Sequence, residues 1–342
     1  MLRSGLSAGM TCTLANEEDV MKTRSAGRMP ALTEIGFGGS QIGNLYREVD
    51  DAVARGAVDA AWESGVRYFD TAPHYGLGLS ERRLGAALGA RPRDEYVLST
   101  KVGRLLVDDP IGADRMDDGG FVVPATLRRR WDFSRDGILR SIEASLTRLG
   151  LDRIDIAYLH DPDEHWEAAS TTGVAALVEL REQGVLGAIG AGMNQTGMLV
   201  DFVERCDIDV VMVAGRYTLL DDEAADRLLP AAAERSIGVV VAAVYNSGLL
   251  SIPRPSAGTR YDYAEASPEL IERAVAMADV AERHGVDLPT AAVAYPLRRP
   301  EVSAVVAGMR TAEQVHSTLQ RHRAHVPDEM WTELVASGLL RR

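Results

Sequence analysis

The chain has 342 residues, 46% of them hydrophobic and 25% charged, a composition that excludes a largely disordered protein. Fifty acidic residues against 37 basic ones give a net charge of −13, which repels phosphate backbones and argues against nucleic acid as a partner. The two cysteines, Cys12 and Cys206, sit in no CxxC pair. Neither a disulfide framework nor a cysteine zinc site is expected, and a reducing, cytoplasmic setting fits best.

Residues 1–29 show no clean period and no sustained apolar core of a signal peptide, and they read as a flexible N-terminal extension. From Ala31 onward the texture changes. Short runs of strand character at 34–39, 66–71, 96–102, 154–161, 186–193, 210–215, 238–245 and 303–309 alternate with helical periods. Those helices are expected near 51–64, 80–88, 134–149, 171–183, 196–205, 222–235, 268–284 and 311–324. Several strands, such as VVMVAG and GVVVAAVY, are continuous apolar runs, the pattern of parallel strands buried on both faces. The longest apolar run, over 237–245, is about half of what a membrane-spanning helix of roughly 20 residues needs. Ser134 and Gly150 mark the start and stop of a helix whose Ile138, Ile142, Leu146 and Leu149 form one stripe.

Eight strand–helix pairs of about 34 residues each predict a (β/α)₈ TIM barrel spanning 30–342 as a single α/β domain. An open doubly wound sheet competes, but no GxGxxG follows an early strand. Two segments interrupt the alternation, at 103–133 and 248–267. Both leave the carboxyl ends of strands, where barrels carry their active sites, and loops of this length are usually functional or mobile. A short extra helix is expected at 289–299 and a last one at 327–338. Within the first insertion Arg104, Phe121 and Trp131 are candidate substrate contacts, although an ordinary surface loop explains them equally well.

The chemistry lies in the strand ends. VRYFDTAPHYG places Asp70 at the end of the second strand with Tyr75 five residues on, YVLSTKVG ends near Lys101, and IDIAYLHD ends near His160. Taken singly, Asp70 reads as a turn cap, Tyr75 as a loop aromatic and His160 as a structural histidine. Lys101 is harder to dismiss, because a lysine closing an apolar strand must find a partner or shift its pKa. An acid, a phenol, an amine and an imidazole at successive strand ends would converge on one rim. The segment HDPDEH, with His160, Asp161, Asp163 and His165, also admits a metal-dependent hydrolase. However, adjacent residues of a strand-to-loop segment point apart. A non-catalytic barrel serving as a binding subunit is the remaining alternative, since fold alone establishes no activity.

The segments FDTAPHYG–SERRLG, STKVG and YLHD resemble the aldo/keto reductases, over roughly residues 31–325. DGILRSIEASLTRLGLDRIDIAYLHD and AGRYTLLD are similar to the aldose dehydrogenase branch of that family, with its D-threo-aldose, L-fucose and pyridoxal dehydrogenases. The resemblance implies a barrel without a Rossmann domain that binds NAD or NADP along its carboxyl rim. It carries the catalytic roles to Asp70, Tyr75, Lys101 and His160. For the cofactor it implies Asn194 at the carboxamide, Tyr245 against the nicotinamide ring, and the amides of Ser247, Gly248 and Leu249 at the pyrophosphate. Gly308, Met309, Arg310 and Gln314 fall at the adenosine end. Met193 stands where a serine is common, and Ala214 lies near a position usually held by glutamine. Gln314 replaces a second arginine common in phosphate-selective members, which slightly favours NAD. The implied reaction is oxidation of an aldose to its lactone, or redox chemistry on another aldehyde such as pyridoxal. The partner is thus a small sugar or aldehyde, with no metal.

Overall fold

Strands that are apolar on both faces can be covered only if helices wrap one side and side chains fill the other. The computed structural model, which describes residues 21–112 and 114–341, resolves the eight runs in this way. They form a closed parallel barrel in chain order: β1 (Ile35–Gly38), β2 (Tyr68–Asp70), β3 (Val97–Val102), β4 (Ile156–His160), β5 (Ala188–Met193), β6 (Val210–Ala214), β7 (Gly238–Ala242) and β8 (Val302–Gly308). Outside lie α1 (Asp51–Glu63), α2 (Leu79–Leu88), α3 (Arg135–Leu149), α4 (Val174–Glu182), α5 (Thr196–Arg205), α6 (Leu228–Glu234), α7 (Pro268–Arg283), α8 (Leu288–Leu297), α9 (Ala312–Arg323) and α10 (Asp328–Ala336). The single-domain TIM barrel expected from the alternation is the observed fold.

Two apolar cores follow from the period of two along each strand. Phe37, Phe69, Leu98, Leu159, Ile189, Val211 and Val239 join the large core shared with the helices. Tyr68, Ile156, Tyr158, Val210, Met212, Val240, Ala304 and Val306 fill the barrel interior. Asp70 follows Tyr68 by two residues, and His160 follows Tyr158 by two. The same parity that buries the tyrosines therefore aims the polar strand ends at the barrel axis. β1 takes part by what it lacks, since a Cβ on Gly36 would come within 2.6 Å of the Tyr68 ring.

Helix α3 starts as its sequence predicts, with the Ser134 hydroxyl accepting from the Gly137 amide at 3.1 Å. Other boundaries moved. The seventh strand, expected to run to 245, stops at Ala242 because Ala243 turns to φ 56°. The helix expected over 222–235 begins only at Leu228, after a single 3-10 turn at Glu223–Ala225. That expected over 171–183 opens with a π turn at Ala169–Gly173 before α4.

Residues 21–29, assigned to the extension on sequence, pack against the barrel floor. Thr23–Arg24 pairs antiparallel with Leu32–Thr33, and Met21 and Met29 are buried. Arg24 donates to Glu34 Oε1 at 2.8 Å and to the carbonyls of Leu297, Arg299 and Val302 at 2.9–3.1 Å. A two-residue strand and one arginine leave no periodic trace, so pattern reading passes over them. Residues 1–20, including Cys12, lie outside the described residues.

Candidate active site

Asp70, Lys101 and His160 from three strand ends and Tyr75 from the loop after β2 meet at the carboxyl rim and line a cavity of about 1370 Å³. Lys101 Nζ donates to Asp70 Oδ2 at 2.7 Å and to the Thr71 carbonyl at 3.0 Å, and stands 4.8 Å from the centre of the Tyr75 ring. Ser99, two residues before Lys101 and on the same inward face, donates to Asp70 Oδ1 at 2.6 Å. The Tyr68 hydroxyl continues the chain inward, 3.1 Å from Ser99 Oγ and 3.2 Å from the Tyr158 hydroxyl. Asp70 is thus gripped from both sides by groups that the barrel interior holds rigid. The Tyr75 ring meets that of His160 edge-on, with centroids 5.9 Å apart.

Electrostatics assign these groups different protonation states. Burial alone would push the Lys101 ammonium down, but the charges and hydrogen bonds of Asp70 and Tyr75 outweigh it and hold it well above its ordinary value. Burial pushes the Tyr75 phenol up, against the opposing pull of Lys101. The imidazole of His160 is driven well below its usual range, by burial first and then by the cations Arg104 and Lys101. Asp161, 3.6 Å from His160 Nε2, therefore faces a neutral ring rather than a charged partner, and its carboxylate pairs with Arg104. The arrangement is a buried phenol backed by a fixed ammonium, with a neutral imidazole beside it, a set able to move a proton.

A model of the aldo/keto reductase family matches residues 34–338. The chain belongs to the aldo/keto reductase family. It is 45% identical to D-threo-aldose 1-dehydrogenase of Pseudomonas sp over 315 residues, covering 91% of this chain and 95% of that protein. It is 37% identical to pyridoxal 4-dehydrogenase of Microbacterium luteolum, covering 90% and 95%. Among solved structures, the holo form of an aldo-keto reductase from Bacillus halodurans superposes with a TM-score of 0.72 at 26% identity, over 93% of this chain and 96% of that one. This aldo/keto reductase is therefore a nicotinamide-dependent oxidoreductase. No helix among the described residues is long and apolar enough to cross a membrane.

The cavity suits such a cofactor. Its volume exceeds the roughly 300–1,000 Å³ of ordinary small-ligand sites, leaving room for an extended two-part molecule. Asn194 Nδ2 donates to the Ala214 carbonyl at 2.9 Å, and Asn246 Nδ2 to Gly215 at 3.3 Å. Asn246 Oδ1 is buried with no protein partner among the described residues, an acceptor suited to a carboxamide. Asn246, Ser247 and Gly248 turn successively to φ 43°, 58° and 109°, which curls the backbone along the cavity wall. Tyr245, Gly308, Arg310 and Gln314 line the same space.

Two cofactor positions taken from the resemblance stay out of the cavity as side chains. Leu249 and Met309 are buried in the core, so they can contribute only backbone. Arg310 is not free at the surface either. It lines the cavity, but its guanidinium donates to Gln41 and to the Leu45 carbonyl, and its own amide donates to Gln314 Oε1 at 2.9 Å. Arg321 approaches the Tyr245 hydroxyl at 3.4 Å, and Arg260 lies over the Tyr46 ring at 4.7 Å.

The first insertion is an antiparallel hairpin, Arg104–Asp108 against Leu127–Trp131, whose connecting residues 116–122 wall the cavity. Phe121 lines the cavity as expected. Arg104 sits against Asp161 and over Trp131, whose ring stacks on the buried Phe133. His165 packs against Trp131 at 5.0 Å and Phe133 at 5.6 Å, whereas the ring neighbours of His160 are His74 and Tyr75. Sequence reasoning missed Ser99, Gln41 and His74. Ser99 was recoverable from its spacing to Lys101, whereas the partners of Gln41 and His74 lie too far along the chain to leave a local signal.

Proposed function

We propose that this enzyme oxidises an aldose at C1, giving the lactone, with Tyr75 as the proton acceptor. The observation that carries the reading is the set of hydrogen-bonding groups beside Tyr75. His74, His160 and Asp161 line that part of the cavity, which suits a polyhydroxylated substrate better than a plain aldehyde. The 45% identity to D-threo-aldose 1-dehydrogenase supports it.

The chain's own residues account for the proton. In oxidation the Tyr75 oxygen takes the proton of the substrate C1 hydroxyl, and in reduction its hydroxyl returns a proton to the carbonyl oxygen. The Lys101 ammonium stabilises the phenolate left between these events, and Asp70 keeps that ammonium in place. His160, being neutral, donates a hydrogen bond to the reacting oxygen without competing for its proton. Asn194, Tyr245, Asn246 and the 246–248 turn would hold the nicotinamide end, and Gly308, Arg310 and Gln314 the adenosine end. When bound there, the nicotinamide supplies the acceptor or donor of a hydride.

For cofactor choice we favour NAD over NADP, with both usable. Recognising a ribose phosphate calls for an arginine fork free to grip it. The arginines lining the cavity, Arg260, Arg310 and Arg321, already have protein partners, and Gln314 supplies no charge. The test is a panel of aldoses, pyridoxal and simple aldehydes, run with each nicotinamide. Aldose turnover at least tenfold above pyridoxal, with NAD equal to or better than NADP, is the expected result. Turnover confined to pyridoxal overturns the substrate reading, and an NADP preference above a hundredfold overturns the cofactor reading.

A further inference from the structure

His74 is a polar residue of the cavity that this reaction leaves without a task. It precedes Tyr75 in the loop after β2. Its ring stands 5.5 Å from that of His160 and 6.0 Å from that of Tyr75, centroid to centroid. Phe121, from the first insertion, meets it edge-on at 5.3 Å and 89°. Nδ1 of His74 accepts a hydrogen bond from Arg129 Nε at 2.5 Å, and Arg129 Nη2 reaches the His74 carbonyl at 3.0 Å. Both oxygens of Asp117, whose side chain is 2% exposed, hold that guanidinium at 2.5 and 2.9 Å. The insertion thus fixes the histidine with a planar fork that is fixed in turn.

A guanidinium can only donate. Nδ1 must therefore present its lone pair, and the proton of the neutral imidazole resides on Nε2. Burial, followed by the charges of Arg129, Arg104 and Lys101, opposes a second proton and pushes His74 down to about 2. Nε2 has no protein partner among the described residues, and the ring lines the cavity next to Tyr75 and His160. The result is a hydrogen-bond donor of fixed tautomer and fixed direction beside the acid–base phenol.

We propose that His74 is a specificity-determining residue whose Nε2–H donates to the substrate hydroxyl on the carbon next to the reacting one, with Arg129 as the positioning residue that sets its tautomer. This rests on the aldose reading above. A sugar that lacks the neighbouring hydroxyl leaves the donor unpaired in a closed site, which is where selection between similar substrates arises. The reaction itself needs only Tyr75, Lys101, Asp70 and His160. His74 therefore acts on which substrate is accepted.

The experiment compares kcat/KM for the preferred aldose and for its 2-deoxy analogue in wild type, His74→Phe, His74→Gln and Arg129→Met. Wild type is expected to favour the hydroxylated sugar by about thirtyfold, within what one buried hydrogen bond supplies. In His74→Phe the preference falls to within about threefold of unity, chiefly through KM. His74→Gln, which keeps an amide donor at similar reach, retains part of it. In protein labelled with ¹⁵N-histidine, NMR at pH 7 is expected to report the Nε2–H tautomer for wild-type His74 and a mixture in Arg129→Met. Equal losses on both sugars in His74→Phe, or a wild type indifferent to the missing hydroxyl, overturn the assignment while leaving the aldose reading intact. A single Nε2–H tautomer with full preference in Arg129→Met overturns the role of Arg129. A wild type that oxidises no aldose removes the aldose reading and this assignment together.

Discussion

At the scale of single residues, the site turns on the contest between burial and Lys101 over the Tyr75 proton. Burial wins, so the phenol is held above its ordinary value near ~10. Oxidation needs the deprotonated oxygen and reduction needs the hydroxyl. The rate of aldose oxidation is therefore expected to climb with pH through neutrality and well into the alkaline range, while carbonyl reduction stays level over the same interval. Lys101→Met removes the group that pulls the phenol down, so its oxidation limb moves to still higher pH. Tyr75→Phe, which removes the proposed proton acceptor, is expected to lower turnover by about 10²–10⁴-fold, while cofactor affinity measured by fluorescence titration stays close to wild type. An oxidation profile already level by pH 7 would assign the proton to another group. Asp70, Lys101 and His160 were legible in sequence because they stand at the ends of apolar strands, and Tyr75 because it follows Asp70 by five residues in a segment that resembles the family's motif. The hydrogen-bond chain from Tyr158 and Tyr68 through Ser99 was not, because it depends on which strands adjoin inside the barrel.

Among the elements, the motif SERRLG shows what a recognisable sequence is for. It forms the start of α2, and its residues tie down the loop after β1, while the Ser80 hydroxyl also lies 2.8 Å from that of Thr71, where the segment leading to Tyr75 begins. Ser80 donates to the Gly39 carbonyl at 2.7 Å, and Arg83 reaches the Ile42 carbonyl and Asn44 Oδ1, each at 2.8 Å. Glu81 is fully buried between the Thr100 hydroxyl at 2.9 Å and Arg148 Nε at 2.5 Å. Gly85 closes the contact with α3, where an added Cβ would lie 1.8 Å from the Leu149 carbonyl oxygen. That neighbour is backbone and cannot swing aside. Gly85→Ala is therefore expected to cost about 1–3 kcal/mol as an overpacked contact, read as a melting temperature lower by several degrees. A wild-type melting temperature would mean that α2 and α3 separate freely. The motif was readable as a motif, but its reason, a helix-to-helix backbone contact, appears only in the fold. The helix starts at α4 and α6 were misjudged for a related reason. Irregular turns there satisfy the backbone without disturbing the apolar period that the sequence displays.

Across the whole molecule, chemistry and closure sit at opposite ends of the barrel. The carboxyl rim gathers the cavity, while the amino end is sealed by residues 21–33 and by an ionic cluster around Glu34. That carboxylate accepts from Arg24 at 2.8 Å and lies 3.0 Å from His322 Nε2 on α9, so it ties the first residues of the fold to one of its last helices. The His322 hydrogen bond, opposed by burial and reinforced by Arg24, lowers Glu34 from 4.5 to about 2. A lowered carboxyl stabilises the fold at pH values above its unfolded value, and that contribution disappears as the pH drops from about 4.5 toward 2. Glu34→Gln should therefore be less stable than wild type at pH 7, by about 1–2 kcal/mol after allowance for solvent screening. The gap should narrow steadily on acidification and close near pH 2, as followed by thermal melts across that range. Initial rates at 25 °C should remain those of wild type, because the cluster lies at the far end of the barrel from Tyr75. A gap that stays constant with pH would show that Glu34 acts through packing, and a loss of activity in the still-folded variant would show that the two ends of the barrel are coupled.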